Sequence, residues 1–334
     1  MFIQSQPLGG RGKSFQGERY YTADNPPYGA TVTWYLKDAI KTRKERRQES
    51  EREAEKKGAP VGWPTRADLR AEEEEEAPAM ILTITDASDN VVRRLTGPVT
   101  AGMQRLTWDL RYPAANLAGP PPPDADFDFE PPSGPLVMPG TYKAQLAKRV
   151  DGVVTPLGPA QEFQVTVEGQ ETMSTTDHAA LVEFQQKAQR LQRAATGATQ
   201  AATQLKPRLA AIKRAIAETP SLPQRLSDDA TALDRRTNEI LRALSGDTAA
   251  RQRNINTPPS INDRIGYVVG AQRMSISRPT QTQINQYNAA AQDFEAVLVQ
   301  LRQLIEADLA RLEKQLEAAG APWTPGRIPE WRNQ

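Results

Sequence analysis

Gly102-Met-Gln-Arg-Leu-Thr-Trp-Asp-Leu-Arg111 and Met138-Pro-Gly-Thr-Tyr-Lys-Ala-Gln-Leu146 are the phrases on which the fold turns, and both read as β-strands. In the first, Met103, Arg105, Thr107 and Asp109 alternate with Gln104, Leu106, Trp108 and Leu110. A period of two puts Leu106, Trp108 and Leu110 on one buried face of a strand expected to reach Tyr112. Trp108 is then the core anchor, and Tyr142 of the second phrase is a further structural anchor. Around these phrases, Met80 to Thr85 reads as a strand, Asp86 to Asn90 supplies turn residues, and Val91 to Leu95 returns as a hairpin. Val150-Asp-Gly-Val153 is a second hairpin turn, leading to a strand over Gln161 to Val167. Strands with turns at this spacing and no helices between them indicate an immunoglobulin-like antiparallel β-sandwich.

Upstream, residues 1–28 carry more turn signals than apolar positions and are expected to be irregular. Gly12-Lys13-Ser14 suggests a phosphate-binding loop, but Pro7 stands where that motif needs its first glycine. The β-sandwich is assigned to residues 29–168, beginning with a strand over Ala30 to Leu36, where β-branched and aromatic residues run unbroken. Two insertions interrupt it. Residues 38–78 form a charged helical excursion in which Thr65 and Asp68 read as an N-cap and acidic first turn. That excursion is either a solvated link with Trp63 folded back on the sandwich, or a partner-binding arm. Residues 119–136 form a proline-rich loop containing Asp124, Asp126, Asp128 and Glu130. Four alternating carboxylates can gather a calcium ion. The same alternation equally turns the acids to water and Phe127 and Phe129 to the sandwich.

After Thr172 the apolar period lengthens from two to threes and fours. Leu181, Phe184, Ala188, Leu191, Ala195, Ala198, Ala202, Leu205, Leu209, Ile212 and Ile216 lie on one stripe of a helix capped by Thr176. At about 1.5 Å per residue it spans on the order of 60 Å, and Pro207 is expected to kink or interrupt it. A second helix runs from about Pro223 to Leu244. A short third follows Ser260 as far as Gly270, and a last long one carries Ile284 to Leu316 and ends at Gly320. Three long helices and one short one over 172–320 make an antiparallel bundle whose stripe is an internal core, or else the seam of an intermolecular coiled coil. The fold class is therefore α+β multidomain. The tail, 321–334, is too proline-rich to be helical. Its Trp323 and Trp331 are expected to anchor it against the body, on the sandwich or on a partner.

Composition narrows the chemistry. Among 334 residues, 42 Lys and Arg nearly cancel 41 Asp and Glu, so no overall field favours nucleic acid. With no cysteine and one histidine, disulfides, thiolate sites and ordinary zinc sites are excluded, and no cofactor is expected. That histidine, His178, falls in a predicted first helical turn, where a solvated side chain is expected rather than a catalytic base. No apolar run suits a membrane span and the N-terminus lacks a signal-peptide pattern.

Taken together, Asn25-Pro-Pro-Tyr-Gly-Ala-Thr-Val-Thr-Trp-Tyr-Leu-Lys-Asp38, the Asp89 to Gly97 hairpin, Gly102 to Pro113, Pro139-Gly-Thr-Tyr142 and Gly320 to Trp331 resemble the C-terminal portion of bacterial sortilin-like β-propeller proteins. Such chains often carry a glycosyl hydrolase label because of sialidase-type repeats in the propeller. The Trp-Asp and Pro-Gly-Thr-Tyr phrases are also similar to the Ig-like domain of the flagellar hook-capping protein. The propeller repeats themselves are missing, so the resemblance carries over no catalytic residue and makes residues 1–28 a possible propeller remnant. It implies a non-catalytic accessory region whose partner is a β-propeller, in cis or in trans. The alternative is part of a glycan-acting hydrolase. Full-length relatives of this kind are expected to be exported.

Overall fold

The computed structural model describes residues 26–116, 133–167, 173–274 and 277–331, and is mixed α/β with antiparallel sheets. It divides into a β unit, residues 26–113 with 133–167, and a helical unit, residues 173–331 with the short stretch 114–116.

In the β unit, β1 (Ala30–Leu36) and β4 (Gly102–Trp108) pair as one sheet, with Val32 opposite Leu106 and Tyr35 opposite Met103. The second sheet has the order β3 (Val91–Gly97), β2 (Ala79–Asp86), β5 (Gly140–Val150), β6 (Val153–Pro156), and β7 (Gln161–Val165) also pairs with β5. Asp151 and Gly152, with φ of 50° and 74°, make the two-residue turn joining Val150 to Val153. β6 and β7 then follow the same edge of β5 in tandem. Between them the Leu157 amide donates to the Leu146 carbonyl and the Gln145 side chain to the Gly158 carbonyl, both at 2.8 Å.

The strand expected to reach Tyr112 stops at Trp108. Asp109 is the reason: its carboxylate accepts the Arg111 amide at 3.1 Å, a local turn that competes with the ladder, and Leu110 takes a left-handed φ of 57°. The chain then meets the segment before β5, where Val137 donates to the Leu110 carbonyl and Tyr112 to that of Pro135.

The two sheets share one core of Leu82, Ile84, Val92, Trp108, Val137, Tyr142 and Ala144. Trp108 is fully buried, its ring edge-on to Tyr142 (5.4 Å, 61°) and Phe163 (6.1 Å, 81°), and its indole N–H donates to the Arg111 carbonyl at 3.0 Å. Trp34 of β1 closes the core against Gly97 of β3, where a Cβ would stand 2.8 Å from its ring. Glycine is therefore the residue that lets the two sheets approach there.

Two helices project from this unit, α1 (Arg43–Lys56) and α2 (Arg66–Glu73). Each begins with a capping box, Thr42 with Glu45 and Thr65 with Asp68, and neither buries a single side chain. Packing therefore does not hold them.

In the helical unit, α3 (Thr175–Ala217) runs unbroken through Pro207. Its N-cap is Ser174, not Thr176: the Ser174 hydroxyl accepts the Asp177 amide at 3.1 Å and donates to its carboxylate at 2.9 Å. The acid three positions on outranks a later threonine with no such partner. α4 (Gln224–Ser245), α5 (Thr248–Gln252) and α6 (Ile261–Met274) follow, and α6 runs beyond Gly270. The last rod is α7 (Gln281–Arg302), a π-helical stretch (Gln303–Leu309) and α8 (Ala310–Ala318). The π stretch lets Leu301, Leu304, Leu309, Leu312 and Leu316 all reach the core although Leu304 and Leu309 are five apart.

Cross-links give the directions of the rods. Lys206 bonds Asp234 and Asn238, Asn262 bonds Thr199 and Ser245, Gln272 bonds Gln283, and Arg208 bonds Glu313. Thus α4 and α6 run in tandem antiparallel to α3, and the last rod runs parallel to it. All three rods contribute to one core of leucine, isoleucine and alanine side chains, among them Ala202, Leu209, Ile240 and Leu304. Among the described residues no helix is long and apolar enough to cross a membrane.

Candidate functional site

A cleft of about 470 Å³ lies between α1 and α2, and its lining includes Arg43, Arg47, Glu51, Val61, Pro64 and Asp68. Its walls are built from charge. Arg47 donates to Glu72 through two nitrogens (2.6 and 2.9 Å) and to Glu51 at 2.7 Å. These bonds hold the Glu72 carboxyl below the usual carboxylate range and raise the guanidinium. Arg43 ties the arm to the sheet by donating to both oxygens of Asp151 in the β5–β6 turn (3.3 and 3.0 Å), which keeps Asp151 ionised to lower pH than usual. Glu75 adds a third tie, its buried carboxylate accepting the Arg43 amide at 2.6 Å. Glu76 with Arg149 adds a fourth at 2.6 Å.

Every cation and most acids on the cleft wall are thus engaged with one another. What the arm leaves unspent is apolar. Trp63, between the two helices, is 96% exposed, with Val61 and Leu69 also exposed nearby in sequence. The expectation that Trp63 folds back on the sandwich is overturned. Trp63 lies on the segment between the α1 C-cap at Lys57, with Gly58 at φ 65°, and the Thr65 capping box that starts α2.

The tail is the second exposed feature. Trp323 and Trp331 are 59% and 80% exposed, so neither ring anchors the tail within the chain, and the alternative of a partner stays open. The anchor is Arg327, buried, which donates to the carbonyls of Ala321 (2.8 Å) and Pro322 (2.9 Å) and pairs with Glu317 at 2.9 Å. One guanidinium nitrogen, Nη2, serves both carbonyls, while Nε lies against the Glu317 carboxylate as an ion pair; Nε and Nη1 themselves make no hydrogen bond.

Trp108 and Tyr142 both lie in the β-unit core. The Tyr142 hydroxyl donates to the Met138 carbonyl at 2.7 Å, and burial, helped by Tyr112 and Asp86, pushes the phenol up to about 12. His178 sits in the first turn of α3 and is half-buried. Asp124, Asp126, Asp128 and Glu130 lie outside the described residues, as do residues 1–25. Among the described residues no three of His, Cys, Asp and Glu gather as metal ligands.

Sequence reasoning did not anticipate Arg43, Arg47, Asp151, Arg208 or Arg327 as fasteners. Thr42 with Glu45 carries the same helix-start signature as Thr65 with Asp68 and marks where α1 begins. The long-range pairs carry no local signal. No family model, curated protein or solved structure matches this chain.

Proposed function

We propose that this chain is a non-catalytic protein-interaction unit: an immunoglobulin-like β-sandwich carrying a charged two-helix arm, followed by an antiparallel helical bundle. The observation that carries the reading is Trp63, a large amphipathic side chain left 96% exposed on a segment fastened at both ends. Tryptophan is enriched at the energetic centres of protein interfaces, where it is desolvated by the partner. The cleft beside it supports recognition rather than proton transfer, because its charged groups are already paired with one another. The partner that the resemblance suggests is a β-propeller, to which this chain acts as an accessory region.

Titration calorimetry of the chain with a separately expressed propeller tests this. Binding is expected, with Trp63→Ala weakening it at least tenfold while thermal unfolding stays unchanged. Absence of heat with the propeller and with other cell-envelope proteins overturns the reading.

A further inference from the structure

The tail from Gly320 to Trp331 is built as a rigid platform. Every third residue, Ala321, Thr324 and Arg327, is buried against the helices, while Pro322, Trp323, Pro325, Ile328, Pro329 and Trp331 are exposed. Besides its own bonds to the Ala321 and Pro322 carbonyls, Arg327 accepts through its backbone carbonyl the Trp323 indole N–H at 2.6 Å. Glu317 takes the Glu330 amide at 3.1 Å. From α3, Arg208 grips Glu313 with two bonds of 2.7 Å and donates to the Gly326 carbonyl at 3.2 Å. Gly326 has φ 88°, and a Cβ there would stand 2.8 Å from the Arg208 guanidinium carbon. A side chain at that position would unseat the segment.

Such a frame fixes the tryptophans in water instead of covering them. Trp323, Trp331 and Ile328, at 59%, 80% and 88% exposure, together show on the order of 500 Å² of largely apolar surface. The exposed proline rings extend this toward the roughly 800 Å² per partner of a specific interface.

We propose that the platform is a two-fold contact between two copies of this chain, tail against tail. Charge allows it. The cation on the segment, Arg327, is buried against Glu317, leaving Glu330 as the ionised side chain at its outer end. Apolar surface can therefore meet apolar surface without like charges opposed at the centre. Among the described residues of the helical unit, the other exposed large apolar ones, Ile255, Tyr267 and Val299, are isolated positions on separate segments. Within this unit the surface that complements the platform is the platform itself, which makes the contact isologous and closed rather than chain-forming. The surface is distinct from the Trp63 arm, so the two can be tested apart.

Sedimentation velocity of the full chain from about 1 to 200 µM is the test, since an interface of this size is expected to dissociate in the micromolar range. A monomer–dimer equilibrium is expected. The Trp323→Ala, Trp331→Ala double variant is expected to weaken it at least tenfold with unchanged helical circular dichroism. Both side chains are exposed, so the variant does not compromise the core. A monomer throughout the range overturns the proposal, as does a dimer that persists unweakened in the double variant. Neither result bears on whether Trp63 binds a propeller.

Discussion

The α1–α2 arm and the C-terminal tail hold tryptophans away from the core, and both are fastened by arginines, yet by opposite physics. The arm's two helices bury no residue, and most of its ties, such as Arg43 with Asp151 and Arg47 with Glu51, stay accessible to solvent, Glu75 just past α2 being the buried exception. The tail is tied by Arg327, buried among backbone carbonyls, and by Arg208 clamped on a buried Glu313. Exposed pairs act in high dielectric and are screened by salt, whereas buried hydrogen-bonded charges are not, and removing one partner leaves the rest stranded. The arm is therefore adjustable and the tail is set.

The largest break in this comparison removes the ground under the arm alone. Trp108→Ala deletes the ring that joins the two sheets and is expected to cost about 4 kcal/mol. Urea unfolding should show the β unit lost at lower denaturant, and hydrogen exchange should show protection falling in α1 and α2 but not in the tail. Equal loss in both would mean that the two regions share one cooperative unit.

Next in size is Arg327→Ala, which leaves the Ala321 and Pro322 carbonyls and Glu317 without their donor and is expected to cost about 2 kcal/mol. The tail amides should lose protection while α3 keeps its own. Both carbonyl bonds come from one guanidinium nitrogen, so Arg327→Lys, whose ammonium has three donors, should restore part of the protection. Full rescue by lysine would show that charge alone suffices.

The two units also differ in where pH undoes them. Burial pushes the Tyr142 phenol up to about 12, above its usual 10, so its contribution to the β unit is complete below pH 10 and is lost as pH rises toward 12. In the helical unit burial raises the Asp234 carboxyl, but the ammonium groups of Lys206 and Lys213, at 2.6 and 2.7 Å, outweigh it and hold it below the usual range. Its contribution is present above about pH 4 and is lost as pH falls through the depressed value. Circular dichroism titrations should find Tyr142→Phe flattening the alkaline limb and Asp234→Asn the acid limb. A variant that moves the opposite limb would contradict the assignment.

What the sequence discloses follows the range of the interaction. Asp151-Gly152 announces its turn, Gly246 and Gly320 mark helix ends, and the leucine stripe marks the core face of α3, because each depends on residues a few positions apart. The π stretch over 303–309 is invisible, since Leu301, Ile305 and Leu309 fit an unbroken α-helical period equally well. The exposed state of Trp63, Trp323 and Trp331 is invisible for a different reason. Hydrophobicity predicts burial, and the ties on the segments beside these rings, Arg43 with Asp151 and Arg208 with the Gly326 carbonyl, join residues 108 and 118 positions apart. Such long-range polar ties are the least legible element of the chain.

The smallest expected effect is the one that separates the two fastenings most cleanly. Raising sodium chloride from about 0.05 to 0.5 M shortens the screening length from roughly 14 to 4 Å. That weakens pairs open to solvent, such as Arg43 with Asp151, while their capping boxes keep α1 and α2 locally helical. Hydrogen exchange of the arm should therefore quicken modestly with salt, and Arg43→Gln should reproduce the change at low salt. The tail, held by the buried Arg327, should show no such dependence. A salt-sensitive tail would mean that its guanidinium is solvated and that the platform forms only when something covers it.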